Sequence, residues 1–536
     1  MLPAGVTAKD FADALKQFTE AVGKQWVFSS DEDVALYRDA YSPFWGEPEE
    51  RVASAAVAPT TVEEVQKVVR TANQYKIPIY TISTGRNLGY GGSAPNLSGS
   101  VVLDLKRMNR VLEVSDRNHS ALVEPGVSYF DLYRYIQDRK LNVWIDVPDP
   151  GWGSPVGNAL DHGGGYLASP YRNHFDSHCG MEVVLANGEV VRTGMGAMPN
   201  SKTWQQYKFG YGPWIDGMFS QSNFGVVTKM GFWLMPQPDA YLTGTVTVPK
   251  YEDLIPLVDT LTFLENSGIT TGMPGLGSPL MGGFMMPPPA PEVTALLARD
   301  GVESAELHRY AEQKGIPFWS CTVKFYGPAK AIAAQWEYCQ EKFSAIPGAK
   351  FQAGESYKLP LTPEQFNKVH KPEFGIPSLE TFSIGARSPQ NPTPGNGHVW
   401  FSPIIPRTGE AILEANKVFS KAAKDYGLPV LSFSLPTTYW TRAFIFLFGF
   451  PITHDIAANK KNRESFKNLV RTAAEHGWGE YRTAPAYQDT VMDTYSYNNH
   501  ALRRFHETVK DAVDPNGILS AGRYGIWPKH LRGQKA

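Results

Sequence analysis

The part of the sequence best suited to hold a ligand is a glycine-dense turn, Gly85-Arg-Asn-Leu-Gly-Tyr-Gly-Gly92. Glycine tolerates tight turns, so successive backbone N–H groups of such a segment can point into one concave surface. A concave turn of this kind binds a phosphate group without needing a lysine. The turn therefore predicts a cradle for the pyrophosphate of a nucleotide cofactor, although an ordinary tight turn can have the same composition.

The spacing around this turn disfavours two common nucleotide sites. No Gly-Lys-Ser/Thr follows it, as a P-loop requires, and the G-x-G-x-x-G spacing of a Rossmann site is absent. The cysteines Cys179, Cys321 and Cys339 are scattered without C-x-x-C spacing, which argues against a disulfide scaffold and against a zinc or iron–sulfur centre. No metal site is predicted, and any redox chemistry must come from an organic cofactor.

Asp149 and His398 are candidate reactive residues whose types alone leave their roles open. Asp149 precedes a proline at the start of a second glycine-dense region, and turn aspartates are common in that setting. His398 precedes an apolar Val-Trp-Phe segment, where most histidines are packed in a core. His162, His174 and His178 also lie close together in sequence, and we interpret them as structural.

The elements around the glycine turn predict a mixed helix and sheet architecture. Thr61-Val-Glu-Glu64 has the pattern of a capping box, and apolar residues then recur at helical spacing up to a strand at residues 77–82. Short strands are predicted at 101–105, 111–114 and 121–124, and an alternating strand at 180–188 ends in an Asn-Gly turn typical of a hairpin.

The second half of the sequence has a different pattern of helices, strands and glycine-rich loops, and this difference predicts the domain organisation. After residue 238 helical patterns at 329–343 and 411–426 alternate with strands, and residues 281–291 form a loop rich in proline and methionine. From about residue 477 the glycine- and proline-punctuated style returns. A chain of 536 residues fits two domains, so we expect a first domain at 1–238, a second at 239–476, and a segment at 477–536 that packs on the first.

The composition of the sequence excludes several classes of binding partner. The formal net charge is −2 and no long run of like charge occurs, so neither nucleic acid nor an anionic membrane surface is an expected partner. No strongly apolar run approaches the length of a membrane span and the first residues do not resemble a signal peptide, so a cytoplasmic location is expected. The aromatic content of 12% suits the walls of a site for a flat ligand.

The order of motifs resembles that of the vanillyl-alcohol oxidase and p-cresol methylhydroxylase (PCMH) family. The shared blocks are the glycine turn, Asp149-Pro-Gly-Trp-Gly-Ser154 with Gly157-Asn158, Ser220-Gln-Ser-Asn-Phe-Gly-Val-Val227, Gly397-His-Val-Trp-Phe-Ser-Pro403, Gly477-Trp-Gly-Glu-Tyr-Arg-Thr483 and Asp514-Pro-Asn-Gly517. Within the family, the block at 149–154 looks most similar to bacterial eugenol oxidases and 4-alkylphenol oxidases. The resemblance implies an α+β fold, with a PCMH-type FAD-binding domain and an α+β cap domain that covers the substrate.

The resemblance also implies FAD as the cofactor, attached covalently to the flavin 8-methyl carbon through His398. The glycine turn would hold the pyrophosphate, the loop at 151–165 would run beside the ribityl chain and ring, and Arg523 would lie near flavin N1 and C2=O, where negative charge accumulates on reduction. The residues expected to bind the cofactor are Gly85, Arg86, Asn87, Leu88, Gly89, Gly92, Gly151, Ser154, Gly157, Asn158, Val227, His398 and Arg523.

The catalytic residues implied by the resemblance are Tyr90, Tyr481, Arg482 and Asp149. The first three match the family's binding site for a phenol oxygen, and Asp149 matches its aspartate beside flavin N5. Trp400, Ser402 and Leu435 are expected to line the substrate pocket. The implied reaction is oxidation of 4-alkylphenols, 4-allylphenols such as eugenol, or 4-hydroxybenzylic alcohols such as vanillyl alcohol, through a p-quinone methide, with O₂ reduced to hydrogen peroxide.

Two departures from the family pattern bear on attachment and assembly. Some fungal members carry histidines near the segment that matches residues 38–43, one of which assists flavin attachment, and this sequence has none there. The segment at 197–211 is shorter than the assembly loop of the octameric fungal enzyme, so a homodimer is expected.

Three other functions remain open. One is a dehydrogenase of the same fold that reduces a cytochrome or dye. Another is a covalent-flavin oxidase of sugar alcohols or aldonolactones, against which Tyr90, Tyr481 and Arg482 argue. A non-enzymatic binding protein would leave His398 and Asp149 without a role.

Overall fold

The structure is a computed structural model, and it describes residues 1–87, 89–282, 289–380, 397–428 and 437–533, without the side chains of 437–439. Helices and sheets are mixed along the chain, as the sequence predicts. The α-helices are α1 (Ala8–Val22), α2 (Asp31–Ala35), α3 (Val62–Tyr75), α4 (Tyr129–Asp138), α5 (Pro155–Leu160), α6 (Ser169–Arg172), α7 (Leu254–Asn266), α8 (Pro291–Asp300), α9 (Ala305–Lys314), α10 (Ala329–Phe343), α11 (Pro363–Phe366), α12 (Gly409–Asp425), α13 (Ile456–Glu475), α14 (Gln488–Thr494) and α15 (Tyr497–Val513).

The strands form several separate sheets. They are β1 (Val27–Phe28), β2 (Ala55–Val57), β3 (Ile79–Ile82), β4 (Val101–Asp104), β5 (Val111–Ser115), β6 (Ser120–Val123), β7 (Val143–Trp144), β8 (His178–Val184), β9 (Val190–Arg192), β10 (Val226–Trp233), β11 (Met235–Pro236), β12 (Ala240–Val248), β13 (Gly275–Gly277), β14 (Trp319–Gly327), β15 (Lys350–Lys358), β16 (Gly397–Phe401), β17 (Ile404–Pro406), β18 (Thr437–Trp440), β19 (Ala443–Ile445) and β20 (Phe448–Ile452).

The glycine turn follows β3 in a four-stranded sheet of order β1-β2-β4-β3, in which β4 is parallel to both β2 and β3. Helix α3 packs with α1 and begins at Thr61, whose side chain accepts from the backbone N–H of Glu64. The predicted capping box is incomplete, because the Glu64 carboxylate accepts from the N–H of Thr60 rather than that of Thr61. The helix start is confirmed, and its second hydrogen bond reaches one residue further back.

The next sheet is antiparallel, with the order β5-β6-β10-β8-β9. Strands β8 and β9 form the hairpin predicted from the Asn-Gly turn. The expected alternation of buried and exposed residues along β8 is wrong, since every residue of that strand is buried. Two hydrophobic clusters explain this, because Val184 belongs to the core shared with α1 and α3, whereas Met181 and Val183 belong to the core against α4 and α5.

The middle of the chain forms another antiparallel sheet, of order β13-β14-β12-β15. Helices α7 and α10 share one hydrophobic core with this sheet. Helix α10 has the bounds predicted from its apolar spacing. Strand β16 pairs with β20, and the two place residues 397–401 against the glycine turn through the hydrogen bond from Trp400 N to Gly89 O of 3.0 Å.

The last segment contacts the first sheet. Ile79 N donates to Ile518 O, and Ser520 N donates to Ile79 O, each at an N···O distance of 2.7 Å. Residues 518–520 therefore extend the edge of β3. Ile518 and Leu519 are buried in the core shared by α1 and α3. The division into domains at 238 and 476 stays a prediction. In the described part of the chain no helix is long and apolar enough to cross a membrane.

Candidate active site

A cavity lies where the glycine turn, helix α5, the segment before β10 and the C-terminal segment meet. It has about 1090 Å³ of empty space, part of it open to solvent. Its lining is rich in backbone and side-chain hydrogen-bond donors and includes Arg523. Of the predicted cofactor-binding residues, the following line it: Gly85, Arg86, Asn87, Gly92, Ser154, Gly157, Asn158, Val227 and Arg523.

The glycine turn is held in shape by its own backbone and by the elements beneath it. Tyr90 N donates to Asn87 O at 3.1 Å, and Asn87 and Gly91 form an isolated β-bridge. Gly89 has a φ of +77°, and a Cβ there would lie 2.4 Å from the Trp400 ring and 2.9 Å from His398 Nε2. Only glycine allows the turn to approach these two rings so closely.

The second glycine-dense segment contributes one wall of the cavity through α5. Ser154 caps this helix by accepting from Gly157 N and donates to Pro125 O at 2.6 Å. Asn158 Oδ1 lies 2.5 Å from His174 Nδ1, and His174 Nε2 lies 2.7 Å from the buried Asp146, so the histidine ties α5 to the core. Gly151 lies outside the cavity lining and packs against Pro377 and Ser378.

His398 lies on β16 with 1% of its surface exposed. Its ring centroid is 5.3 Å from that of Tyr41 and 4.4 Å from that of Trp400. The ring also contacts Gly89 of the turn. The histidine is therefore buried between aromatic rings and beside the turn whose neighbouring residues line the cavity.

Tyr90, Tyr481 and Arg482 come together although they lie far apart in sequence. The hydroxyl oxygens of Tyr90 and Tyr481 are 3.4 Å apart, and the Arg482 guanidinium carbon lies 3.9 Å from the centre of the Tyr90 ring. Nε and Nη1 of Arg482 are buried and have no hydrogen-bond partner among the described residues. A buried cationic donor of this kind can hold an oxygen that carries negative charge.

Burial and neighbouring charge set the protonation of this cluster. Burial raises the pKa of Tyr90, and the Arg482 cation offsets part of that rise. Burial disfavours the cationic form of Arg482, but attraction to the oxygens of Tyr481 and Tyr90 and to Asp161 leaves the pKa of Arg482 raised. Arg482 therefore stays a cation, and the buried Tyr90 hydroxyl stays protonated.

Ser402 lies beside Tyr90, and Asp149 lies on the loop before Gly151. The Ser402 hydroxyl is 2.8 Å from that of Tyr90, and its backbone N–H donates to the buried carboxyl of Glu480. Asp149 accepts a hydrogen bond from the hydroxyl of Tyr166. The Tyr166 ring in turn contacts His370, with ring centroids 5.1 Å apart.

Arg523 and Arg482 share a carboxylate that the sequence analysis missed. Asp161, the residue after α5, lies 3.6 Å from Arg482 Nη1 and 3.6 Å from Arg523 Nη2. Arg523 also donates to the hydroxyl of Tyr80 at 2.8 Å, and the hydroxyl of Tyr524 donates to Asp161.

Other residues at the site also escaped the sequence analysis. The Trp440 ring lies 5.4 Å from that of Tyr481, and Tyr166 contacts the predicted residue Asp149. The glycine-rich context of Tyr166 was a usable signal, whereas nothing local marks Asp161 or Trp440. Leu88 and Leu435 lie outside the described residues.

The chemistry of the lining residues fits FAD. Arg523 is cationic, Asn87, Asn158 and Asn223 offer amides, and Asp161 is the acidic residue among those of the described lining. Donor groups and tight glycine turns suit an anionic pyrophosphate. A cation near the C-terminal side of the cavity suits a ring system that gains negative charge on reduction.

Comparison with known proteins shows that the chain is similar to flavoproteins. Residues 53–194, which contain the glycine turn, α5 and β8, match a family model described as an FAD binding domain. The chain is also 33% identical over 538 residues to the 4-cresol dehydrogenase [hydroxylating] flavoprotein subunit of Pseudomonas putida, covering 98% of each protein.

Two further proteins are similar over most of the chain. A 4-ethylphenol oxidase from Gulosibacter chungangensis, solved as an isoeugenol complex, superposes with a TM-score of 0.81 and 35% identity, covering 99% of this chain and 100% of that one. The 1'-carboxy-chondrochloren decarboxylase of Chondromyces crocatus is 38% identical, covering 88% of this chain and 91% of that protein. The chain belongs to the vanillyl-alcohol oxidase and PCMH family of FAD-dependent phenol oxidoreductases, with the PCMH-type FAD-binding fold.

Proposed function

We propose that this protein oxidises para-substituted phenols, namely 4-alkylphenols, 4-allylphenols or 4-hydroxybenzylic alcohols, and that it delivers the electrons to O₂. The observation that carries the proposal is the cluster of Tyr90, Tyr481 and Arg482, in which a buried guanidinium offers hydrogen-bond donors that no described residue takes up. A phenol oxygen matches this cluster in size, charge and hydrogen-bonding capacity.

The cluster favours the ionised form of a bound phenol. Arg482 remains a cation, and the hydroxyls of Tyr90 and Tyr481 can both donate to one oxygen. An opposite charge in contact lowers the pKa of an acid by roughly one to three units, less the cost of removing the phenolate from water. Ionisation raises electron density at the para carbon, so the benzylic C–H bond beside it becomes a better hydride donor.

FAD would be held by the backbone of residues 85–92, by α5 and by Arg523, with His398 as the point of covalent attachment. When bound, FAD supplies the oxidant that accepts a hydride from the benzylic carbon of the phenolate, which leaves a neutral p-quinone methide. A neutral imidazole nitrogen has the lone pair that covalent attachment requires. The burial of His398 between Tyr41 and Trp400 fixes the ring in one orientation.

Asp149 is proposed to manage protons on the substrate side. A carboxylate near the oxidised carbon can serve as the base for water that adds to the quinone methide. The hydrogen bond from Tyr166 orients this carboxyl and moderates its basicity. Ser402, Trp400 and Leu435 are proposed as parts of the substrate pocket.

The electron acceptor separates the proposal from its main alternative. The 4-ethylphenol oxidase and the 4-cresol dehydrogenase are comparably similar to this chain, at 35% and 33% identity, and their names differ on this point. We favour O₂ because at His398 the sequence resembles the family's histidyl-flavin members, whereas the p-cresol methylhydroxylases attach the flavin through a tyrosine. An oxidase of sugar alcohols or aldonolactones is disfavoured, since a sugar has no acidic oxygen to match Arg482.

The test is a peroxide assay over a panel of phenols. Purified enzyme in air is given 4-ethylphenol, eugenol, vanillyl alcohol and the O-methyl ether of each, and hydrogen peroxide is measured. We expect peroxide from at least one phenol and none from the ethers, because an ether cannot form the quinone methide. Turnover that requires a dye or cytochrome would assign the protein to the dehydrogenases, and equal turnover of phenol and ether would refute the site.

The organisation of the protein is part of the proposal. We propose an FAD-binding domain formed by 1–238 and 477–536, a cap domain at 239–476, a homodimer, and a cytoplasmic location. Sedimentation or light scattering of the purified protein measures the oligomeric state, and a mass of one chain would contradict the dimer.

A further inference from the structure

Two buried arginines that serve different ligands share one carboxylate. Arg482 belongs to the proposed phenol site and Arg523 lines the cofactor cavity, yet Asp161 lies 3.6 Å from a guanidinium nitrogen of each. Its two oxygens divide between them, with Oδ2 on the side of Arg482 and Oδ1 on the side of Arg523. Asp161 is 5% exposed, so water screens these contacts little.

The position of Asp161 is fixed from both sides. Asn87 Nδ2 donates to Oδ2 at 2.5 Å, and the Tyr524 hydroxyl donates to Oδ1. Asp161 follows α5, and its backbone N–H donates to carbonyl groups in the last turn of that helix. The carboxylate is thus held between the glycine turn and the C-terminal segment, and it cannot move toward one arginine without leaving the other.

Positive charge exceeds negative charge around the Asp161 carboxylate. Two guanidinium groups face one carboxylate, which leaves the cluster with one positive charge in excess. Among the described residues, the titratable groups that act on Asp161 or on its two arginines include Tyr80, Tyr90, Tyr129, Tyr481, Tyr524, His162 and Asp39. Burial raises the pKa of Asp39 and lowers that of His162, so both tend toward their neutral forms.

We propose that Asp161 is a positioning residue that sets, at the same time, how much positive charge Arg482 presents to a bound phenol and how much Arg523 presents to bound FAD. This inference rests on the proposed function for its phenol half. In a water-poor site a carboxylate in contact with a guanidinium cancels much of its field. One aspartate therefore tunes two events, ionisation of the phenol and reduction of the cofactor.

The direction of both effects follows from charge. Without the carboxylate, Arg482 and Arg523 attract negative charge more strongly. A bound phenol then ionises at lower pH, and bound flavin takes up electrons at a more positive midpoint potential. A residue that merely supports the fold would leave both quantities unchanged in the properly folded enzyme.

The experiment uses FAD-containing enzyme with isoeugenol, the ligand named for the related 4-ethylphenol oxidase structure. The phenolate absorption band of bound isoeugenol is titrated against pH, and the flavin midpoint potential is measured without ligand against a redox dye. For Asp161→Asn we expect the pKa of bound isoeugenol to fall by about one unit, a tenfold change in the ionisation equilibrium. The midpoint potential should become more positive.

Controls separate charge from packing. Asp161→Glu keeps the charge and should restore both quantities toward wild type. Asp253→Asn removes another buried carboxylate, one that accepts from Lys250 N just before α7 and lies outside the cavity lining, and should change neither. Wild-type values of both quantities in folded Asp161→Asn would overturn the proposal.

A second variant covers the case in which Asp161→Asn does not fold. Tyr524→Phe removes the hydrogen bond to Asp161 and the one that the hydroxyl accepts from Arg523, without changing charge, so the carboxylate acts more fully on the arginines. Both quantities should then move in the opposite direction, the pKa upward and the potential downward. No shift in either would overturn the proposal. If wild-type enzyme shows no phenolate band, the proposed function fails, while the potential of the variants still tests the action of Asp161 on Arg523.

Discussion

The hydroxyl oxygens of Tyr90 and Tyr481 lie 3.4 Å apart, close enough for one acceptor oxygen to contact both. With Arg482 beside them, the arrangement predicts that isoeugenol binds as a phenolate at a pH where it is neutral in water. Tyr90→Phe keeps the ring under Arg482 and should weaken the band, whereas Arg482→Ala should abolish it, because an opposite charge is worth roughly one to three pKa units. Absorption spectra across pH measure this, and an unchanged band in Arg482→Ala would contradict the site.

His398 predicts a cofactor that stays with the chain after acid precipitation. Its ring is buried beside the glycine turn, and a covalent bond there cannot be washed away. His398→Ala should still bind FAD but release it on denaturation, and it should turn over more slowly because losing the covalent link makes the flavin a weaker oxidant. Absorbance of pellet and supernatant decides this, and yellow colour released from wild type would refute attachment.

Asp149 predicts a defect in chemistry with little defect in folding. Asp149→Asn keeps the shape of the side chain and an acceptor for Tyr166, but it removes the charge and the base. Anaerobic reduction of the flavin by substrate should slow by about 100-fold, the usual scale of acid–base contributions. Stopped-flow absorbance gives the rate, and Tyr166→Phe should show a smaller decrease. A wild-type rate in Asp149→Asn would leave Asp149 as a turn residue only.

Glu480 predicts a dependence of stability on pH. Burial raises the pKa of this carboxyl well above its ordinary value, with the Ser402 N–H offsetting part of the rise. Above a pH of about 4.3 the unfolded state releases this proton while the folded state keeps it. As the pH rises, the free energy of unfolding therefore falls by about 1.4 kcal/mol per pH unit, until the pKa of Glu480 in the folded state is passed.

Glu480→Gln imitates the protonated form and should lose less stability as pH rises. Chemical unfolding followed by tryptophan fluorescence at several pH values measures the free energy of unfolding, with the exposed Glu113→Gln as a control. Parallel curves for Glu480→Gln and wild type would show that the carboxyl is ionised in the folded protein.

Local pattern accounts for what could be predicted of the fold. Helix α10 and the hairpin of β8 and β9 depend on spacing and turn chemistry within a few residues, and both were predicted. The burial of both faces of β8 depends on two cores assembled from distant segments, so its alternation was misinterpreted. The incomplete capping box at Thr61 depends on which neighbouring N–H the carboxylate reaches, and sequence does not encode that choice.

The candidate site divides in the same way. Tyr90, Tyr481 and Arg482 were found because each lies in a motif that resembles the family, and the structure brings them together. Asp161 was missed although it follows one of those motifs, because its significance comes from arginines supplied by the far end of the chain.

The extension of β3 by residues 518–520 has a consequence for biosynthesis. The cavity lining begins with residues made early, at 80–87, but Ser520, Arg523 and Tyr524 complete it. While the ribosome is still adding residues 239–476, the nascent chain lacks the C-terminal residues of this lining. If this lining binds FAD as proposed, a chain released before residue 524 should be colourless and a substrate for proteolysis.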